Sequence, residues 1–156
     1  MYSDRLTVGI VGNGFVGNAI YQNVRDKVET KVYDIDPLRS LNTWEETTQQ
    51  SVVFVCLPTP MRMDGTCDLT YLDEFFGKLD PFQALEFLDN DAYDDPLYVI
   101  KSTVPVGTTE KYAEIGHTVC HNPEFLTARN AVKDFRRASR TIIGSRDNNG
   151  SKLAQF

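Results

Sequence analysis

At 156 residues the chain is sized for one domain with a core of its own, and 41% hydrophobic and 24% charged residues are ordinary for a globular protein. A net charge of −6 leaves no basic footprint for a phosphate backbone, which argues against DNA or RNA as a partner. No apolar run reaches the roughly 20 residues of a membrane span, and Met1–Arg5, with its early acid, does not read as a signal peptide.

The three cysteines, Cys56, Cys67 and Cys120, are odd in number and lack metal-ligand spacing, so a reducing cytoplasm and no metal are expected. Cys56 sits in an apolar run and reads as a small buried hydrophobe.

Along the chain, short apolar runs alternate with amphipathic ones, the pattern of a βαβ series and a parallel sheet. Leu6–Val11 reads as the first strand and Phe15–Val24 as a helix, with Val16, Ile20 and Val24 along one face. Thr30–Asp34 and Val52–Leu57 follow as strands. Leu69–Leu79 reads as a helix with Asp68 as its N-cap. Within Asp80–Asp95, Pro81 is placed to open a short helix, and the acidic tract Asp89–Asp95 reads as a solvated loop. Leu97–Lys101 is the fourth strand. Gly107–Ile115 is a helix opened by Thr108 and Thr109 and closed by Gly116. His117–Cys120 and Thr141–Gly144 complete the strands.

Asn148–Ser151 reads as a turn and helix cap, and the short stub after it is too short to be stable alone. It is expected either to dock on the domain or to begin a helix that a longer natural chain continues. The expected fold is therefore α/β: a Rossmann-type, doubly wound, mostly parallel six-stranded sheet with helices on both faces, filling one domain over residues 1–156.

The first strand runs into Gly12-Asn13-Gly14-Phe15-Val16-Gly17 and then a helix. Alone, G-x-G-x-x-G is a weak pattern; here a strand precedes it, a helix follows, and an acid ends the second strand. Gly12 suits the tight turn, Gly14 lets backbone approach a pyrophosphate, and Gly17 allows close helix–strand packing. The helix N-terminus offers free N–H groups and partial positive charge to phosphates. Asp34 is placed to accept hydrogen bonds from an adenosine ribose diol and to repel a 2′-phosphate, which favours NAD over NADP; Arg39 nearby pulls the other way.

Three further segments follow strand ends, where an open α/β sheet binds ligands: Cys56-Leu57-Pro58-Thr59-Pro60, Lys101-Ser102-Thr103-Val104-Pro105-Val106-Gly107-Thr108 and Asn122-Pro123-Glu124-Phe125-Leu126. With these in order, the sequence from Val8 to Gly144 resembles the N-terminal domain of the UDP-glucose/GDP-mannose dehydrogenase family. The resemblance implies an NAD-dependent oxidoreductase that oxidises the C6 alcohol of a nucleotide sugar of the UDP-glucose class to the uronic acid. It implies that Gly12, Asn13, Gly14, Phe15, Val16 and Gly17 hold the pyrophosphate and that Asp34 and Arg39 lie near the adenosine ribose. Leu57, Pro58 and Thr59, with Ser102, Thr103 and Val104, would line the dinucleotide crevice. Thr103 matches a threonine near the reacting carbon, and Glu124 a glutamate implicated in activating water, a task a carboxylate in a partly dry crevice suits.

The match departs at Ala128, where the family has a second glutamate, and alanine handles no proton. The family's catalytic lysine, asparagine and cysteine, and its UDP-binding part, belong to a central helix and a C-terminal domain not found in this sequence. None of the three cysteines has the context of an activated thiolate. His121 and His117 read as bystander and structural residue, and Lys101 receives no chemistry.

Three functions follow as expectations. The first is the NAD-binding part of a nucleotide-sugar dehydrogenase, incomplete as this chain alone. The second is a non-catalytic NAD(H)-binding module, as a homo-oligomer or paired with a full-length dehydrogenase. The third, a hydroxyacid or 6-phosphogluconate type of dehydrogenase, is disfavoured by the Pro58-Thr59-Pro60 and Asn122-Pro123-Glu124 turns.

Overall fold

The computed structural model describes residues 6–79, 96–146 and 148–155. The readings of Met1–Arg5 and of Asp80–Asp95 lie outside the described residues. Five strands, β1 (Thr7–Val11), β2 (Glu29–Tyr33), β3 (Val52–Val55), β4 (Leu97–Ile100) and β5 (Val119–His121), form one wholly parallel sheet in the order β2-β1-β3-β4-β5. The helices are α1 (Phe15–Val24), α2 (Trp44–Thr48), α3 (Thr70–Lys78), α4 (Thr108–Glu114), α5 (Ala131–Arg137) and α6 (Asn149–Gln155).

Side chains of a strand point alternately to its two faces, so a strand buried on both sides reads as an unbroken apolar run. β3 and β4 do this over their full length. On one face Val11, Val53, Val55, Tyr98 and Ile100 meet Leu72, Phe75 and Phe76 of α3 and Tyr112 of α4. On the other, Val8, Ile10, Val32, Phe54 and Val99 meet Ile20 of α1 and Leu153 of α6, with Phe135 of α5 against them. The first face is aromatic: Phe76 stacks on Tyr112 at 4.0 Å, and Phe75 meets Trp44, Phe76 and Tyr98 edge-on.

Leu153 of the terminal stub is buried against the sheet, so the stub docks on the domain. The expected sixth strand, Thr141–Gly144, is corrected to one antiparallel bridge in which His121 and Gly144 exchange two backbone bonds of 2.7 Å. Of that segment only Ile143 packs against the core, while Thr141 and Ile142 are exposed, so it is held by one bridge and not as a full strand. Among the described residues the sheet has five strands, not six.

α2 was not anticipated, although its start is written in Thr43-Trp44-Glu45-Glu46. Thr43 Oγ1 accepts from Glu46 N, and Glu46 Oε2 accepts from Thr43 N. The N-cap of α3 is Leu69 and not the expected Asp68, whose Oδ1 accepts from Thr70 N at 3.0 Å in the turn that leads into the helix.

Candidate functional site

The strand order reverses at β1, with β2 on one side of it and β3 on the other. A doubly wound sheet opens a crevice at such a point, beyond the carboxyl ends of its strands. A cavity of about 660 Å³ lies there. Its wall includes Gly12, Gly14, Phe15 and Val16 after β1, Asp34 and Arg39 after β2, Leu57 and Pro58 after β3, Ser102 and Thr103 after β4, and Glu124 after β5.

The turn at the end of β1 requires glycine. Gly12 has φ +91°, and a Cβ there would lie 2.5 Å from the Cys56 carbonyl oxygen. A Cβ on Gly17 would lie 1.9 Å from the Gly12 oxygen, so that residue sits behind the loop and lets α1 approach β1. Gly14 differs: no heavy atom lies within 4 Å of the position a Cβ would take, so its backbone faces open space. The first N–H groups of α1 have no intrahelical partner, and its first turn carries no acid.

Asp34 ties the end of β2 to this loop. Its Oδ2 accepts from Asn13 N at 2.6 Å and its Oδ1 from Asp36 N at 2.9 Å. Each oxygen keeps a second lone pair for another donor. Asn13 Nδ2 donates to the Arg39 carbonyl at 2.8 Å, while Asn13 Oδ1 is buried with no protein partner among the described residues. Arg39 is exposed and pairs with Asp36 at 3.4 Å.

The loops after β3 and β4 are locked together. Ser102 Oγ donates to the Leu57 carbonyl at 2.5 Å, and Thr59 Oγ1 to the Thr103 carbonyl at 2.7 Å. Val104 turns inward against the aromatic core. Thr103 is exposed at the crevice. Glu124 also lines it, with Oε2 accepting from Leu126 N at 2.5 Å, so the same carboxylate caps its own turn.

The floor holds groups to which the sequence assigned no role. Lys101 is buried, and its Nζ donates to Asn122 Oδ1 at 2.7 Å. Burial pulls the ammonium below its usual pKa, while Cys56, Glu124 and Cys120 oppose that shift. Burial pushes the Cys56 thiol up to about 12 against the pull of Lys101, which makes it a poor nucleophile at neutral pH. His121 turns to the Ser102 carbonyl at 3.1 Å, and His117 to the Phe76 carbonyl at 3.2 Å; burial lowers the pKa of both. The crevice-facing side of α3, Tyr71, Glu74 and Lys78, also went unread. Its signal was the spacing of polar residues opposite Leu72 and Phe76 on the core side.

Four features fit a dinucleotide: an open Gly14, free helix N–H groups, the orphaned amide oxygen of Asn13 in the same loop, and the acid Asp34 at the end of β2. Among the described residues no group of three or more His, Cys, Asp or Glu is placed to hold a metal, and no helix is long and apolar enough to cross a membrane.

A family model described as "UDP-glucose/GDP-mannose dehydrogenase family, NAD binding domain" matches residues 19–155. That span starts within α1, so the glycine loop rests on its own geometry. The chain is 31% identical over 132 residues to a UDP-glucose 6-dehydrogenase of Rickettsia bellii, covering 80% of this chain and 28% of that protein. It is 35% identical over 125 residues to the enzyme of that name from Pseudomonas aeruginosa, covering 72% of this chain and 26% of the relative. In fold it is similar to a UDP-glucose dehydrogenase of Pyrobaculum islandicum (TM-score 0.75, 22% identity, 97% of this chain and 43% of that one). It is also similar to a GDP-mannose dehydrogenase of Pseudomonas aeruginosa crystallised as a ternary complex (TM-score 0.73, 20% identity, 95% and 43%). The chain thus spans little more than a quarter of these two sequence relatives.

Proposed function

The chain belongs to the UDP-glucose/GDP-mannose dehydrogenase family, as its NAD binding domain, and on that premise we propose how its residues hold the cofactor and what they do in a larger reaction. Gly12, Asn13, Gly14, Phe15, Val16 and Gly17 form the pyrophosphate cradle, in which Gly14 is the point of closest approach and Gly17 seats the helix. Asp34 takes the adenosine ribose diol on its remaining lone pairs, with Arg39 beside it. Leu57, Pro58 and Thr59 and Ser102, Thr103 and Val104 hold the far half of the crevice, where Thr59 and Val104 act by fixing the two loops. The observation that carries this reading is the crevice at the β1/β3 switch point, with the Gly12 turn on one lip and Asp34 bonded to the Asn13 amide.

Bound NAD supplies a hydride acceptor. In our reading Thr103 orients the substrate oxygen at the crevice, and Glu124 receives or directs a proton through its second oxygen. The substrate is a nucleotide sugar of the UDP-glucose class, oxidised at C6 to the acid, with the remaining catalytic groups supplied from outside these 156 residues. The three cysteines, odd in number and without metal-ligand spacing, suit a cytoplasmic setting. Ala128 favours a second reading, a non-catalytic NAD(H)-binding module acting as a homo-oligomer or beside a full-length dehydrogenase. Fluorescence titration with NADH and NADPH tests the core of the proposal: saturable, NADH-preferring binding is expected, and binding of neither overturns it. Turnover of UDP-glucose by the chain mixed with a full-length relative separates the catalytic reading from the module.

A further inference from the structure

Among the described residues Lys101 is the one buried Lys, Arg, Asp or Glu, at 4% exposure. β4 delivers it to the crevice floor, its backbone N bonded to the Val55 carbonyl at 2.9 Å. One of its three N–H donors goes to Asn122 Oδ1. That amide cannot be turned round, because Asn122 Nδ2 already donates to the Ile142 carbonyl at 2.7 Å. No carboxylate forms an ion pair with Lys101 among the described residues.

The titratable groups facing it are Cys56 at the end of β3, Cys120 and His121 on β5, and Glu124 beyond β5. Burial keeps the Cys56 thiol protonated and favours the neutral form of His121. Arg39 and Lys78, the other cations on the wall, are exposed to water and screened. A buried ammonium carries a desolvation cost that a neutral side chain would avoid, so its field inside the crevice is the property to explain.

Adjacent strands lie about 4.8 Å apart, so β4, two strands from β1, ends roughly 10 Å from the phosphate cradle. That is about one nucleoside's reach, which puts Lys101 at the nicotinamide end if the cradle holds the pyrophosphate. We propose that Lys101 sets the redox preference of the crevice: its ammonium disfavours the positively charged oxidised nicotinamide and favours the neutral reduced ring. The domain then holds NADH more tightly than NAD+, and the bound cofactor is the stronger hydride acceptor. The inference rests on the NAD reading above and adds to it a direction of preference.

The test compares the full chain with K101Q, K101M and K101R, titrated with NADH by fluorescence and with NAD+ by calorimetry. A unit charge within about 10 Å of the charged ring, at an effective dielectric near 20, changes its binding constant by on the order of tenfold or more. The ratio Kd(NAD+)/Kd(NADH) is expected above one in the parent, lower by about that factor in K101Q and K101M, and retained in K101R. A ratio unchanged in K101Q and K101M, with both ligands still bound, overturns the role of Lys101 and leaves the cofactor reading intact. A parent that binds neither ligand overturns both. If the neutral variants do not fold, the parent's own ratio decides: it is expected to fall as alkaline pH takes the proton from Lys101, and a flat ratio overturns the proposal.

Discussion

Replacing Asp34 by asparagine isolates what its carboxylate does to the glycine loop. Both oxygens accept backbone amides, from Asn13 at 2.6 Å and Asp36 at 2.9 Å. Asparagine keeps one acceptor and turns an NH2 group toward an amide N–H, so one of the two bonds is lost whichever way the side chain turns. A hydrogen bond to a charged group contributes about 1.5–3 kcal/mol. Because the site is half exposed, the lower end applies, about 1.5 kcal/mol for D34N and about 3 kcal/mol for D34A. In a domain of this size each kcal/mol shifts Tm by roughly 2–4 °C. D34N should therefore melt about 3–6 °C below the parent in a thermal scan followed by circular dichroism, and D34A about 6–12 °C below. NADH affinity should fall with them, since the loop that Asp34 steadies is the proposed phosphate cradle. A D34N variant melting within about 1 °C of the parent would refute the assignment of Asp34 as the tie between β2 and the loop.

Gly12→Ala, at φ +91° and with its Cβ 2.5 Å from the Cys56 oxygen, is expected to cost about 2–4 kcal/mol in urea denaturation. An unchanged midpoint would contradict that geometry. Glu124→Gln keeps an acceptor for the Leu126 amide and should unfold within about 1 kcal/mol of the parent, whereas Glu124→Ala should lose about 1–2 kcal/mol; equal losses would deny the turn cap. Maleimide labelling at pH 8, read by mass spectrometry, should spare Cys56, whose thiol is pushed up to about 12, and labelling at the rate of a free thiol would count against it. Burial depresses the folded pKa of His117 and His121, so their contribution to stability is present above the unfolded value near 6.5 and is lost as the pH falls below it. The stability slope between pH 7 and 5 should flatten when both are replaced by glutamine, and an unchanged slope would place the titration elsewhere.

What the sequence made legible followed from burial. β3 and β4 read directly as Val- and Ile-rich runs because both faces of the sheet are covered, and the glycine loop read directly because its neighbours left only glycine possible at Gly12 and Gly17. Where burial is weak the reading slipped: Thr141–Gly144 has strand-like residues, yet only Ile143 packs against the core, and Thr141 and Ile142 stay exposed. α2 is only five residues long and gives no periodicity to see, although its capping box was there to be read. Within the site, positions of backbone character were accessible from motifs. The buried amine of Lys101 was not, because nothing in Val99-Ile100-Lys101-Ser102 says whether the side chain turns to water or, as here, to Asn122.

In the function proposed above, one crevice, from the Gly12 loop to the end of β4, holds NAD. Amide chemical-shift mapping of the 15N-labelled chain during an NAD titration tests it most directly. Saturable shifts are expected at Gly14, Phe15 and Val16, at Asp34, and at Ser102 and Thr103 together. No shifts at saturating NAD, or shifts confined to the exposed loop closed by an antiparallel bridge between Met61 and Cys67, would contradict it.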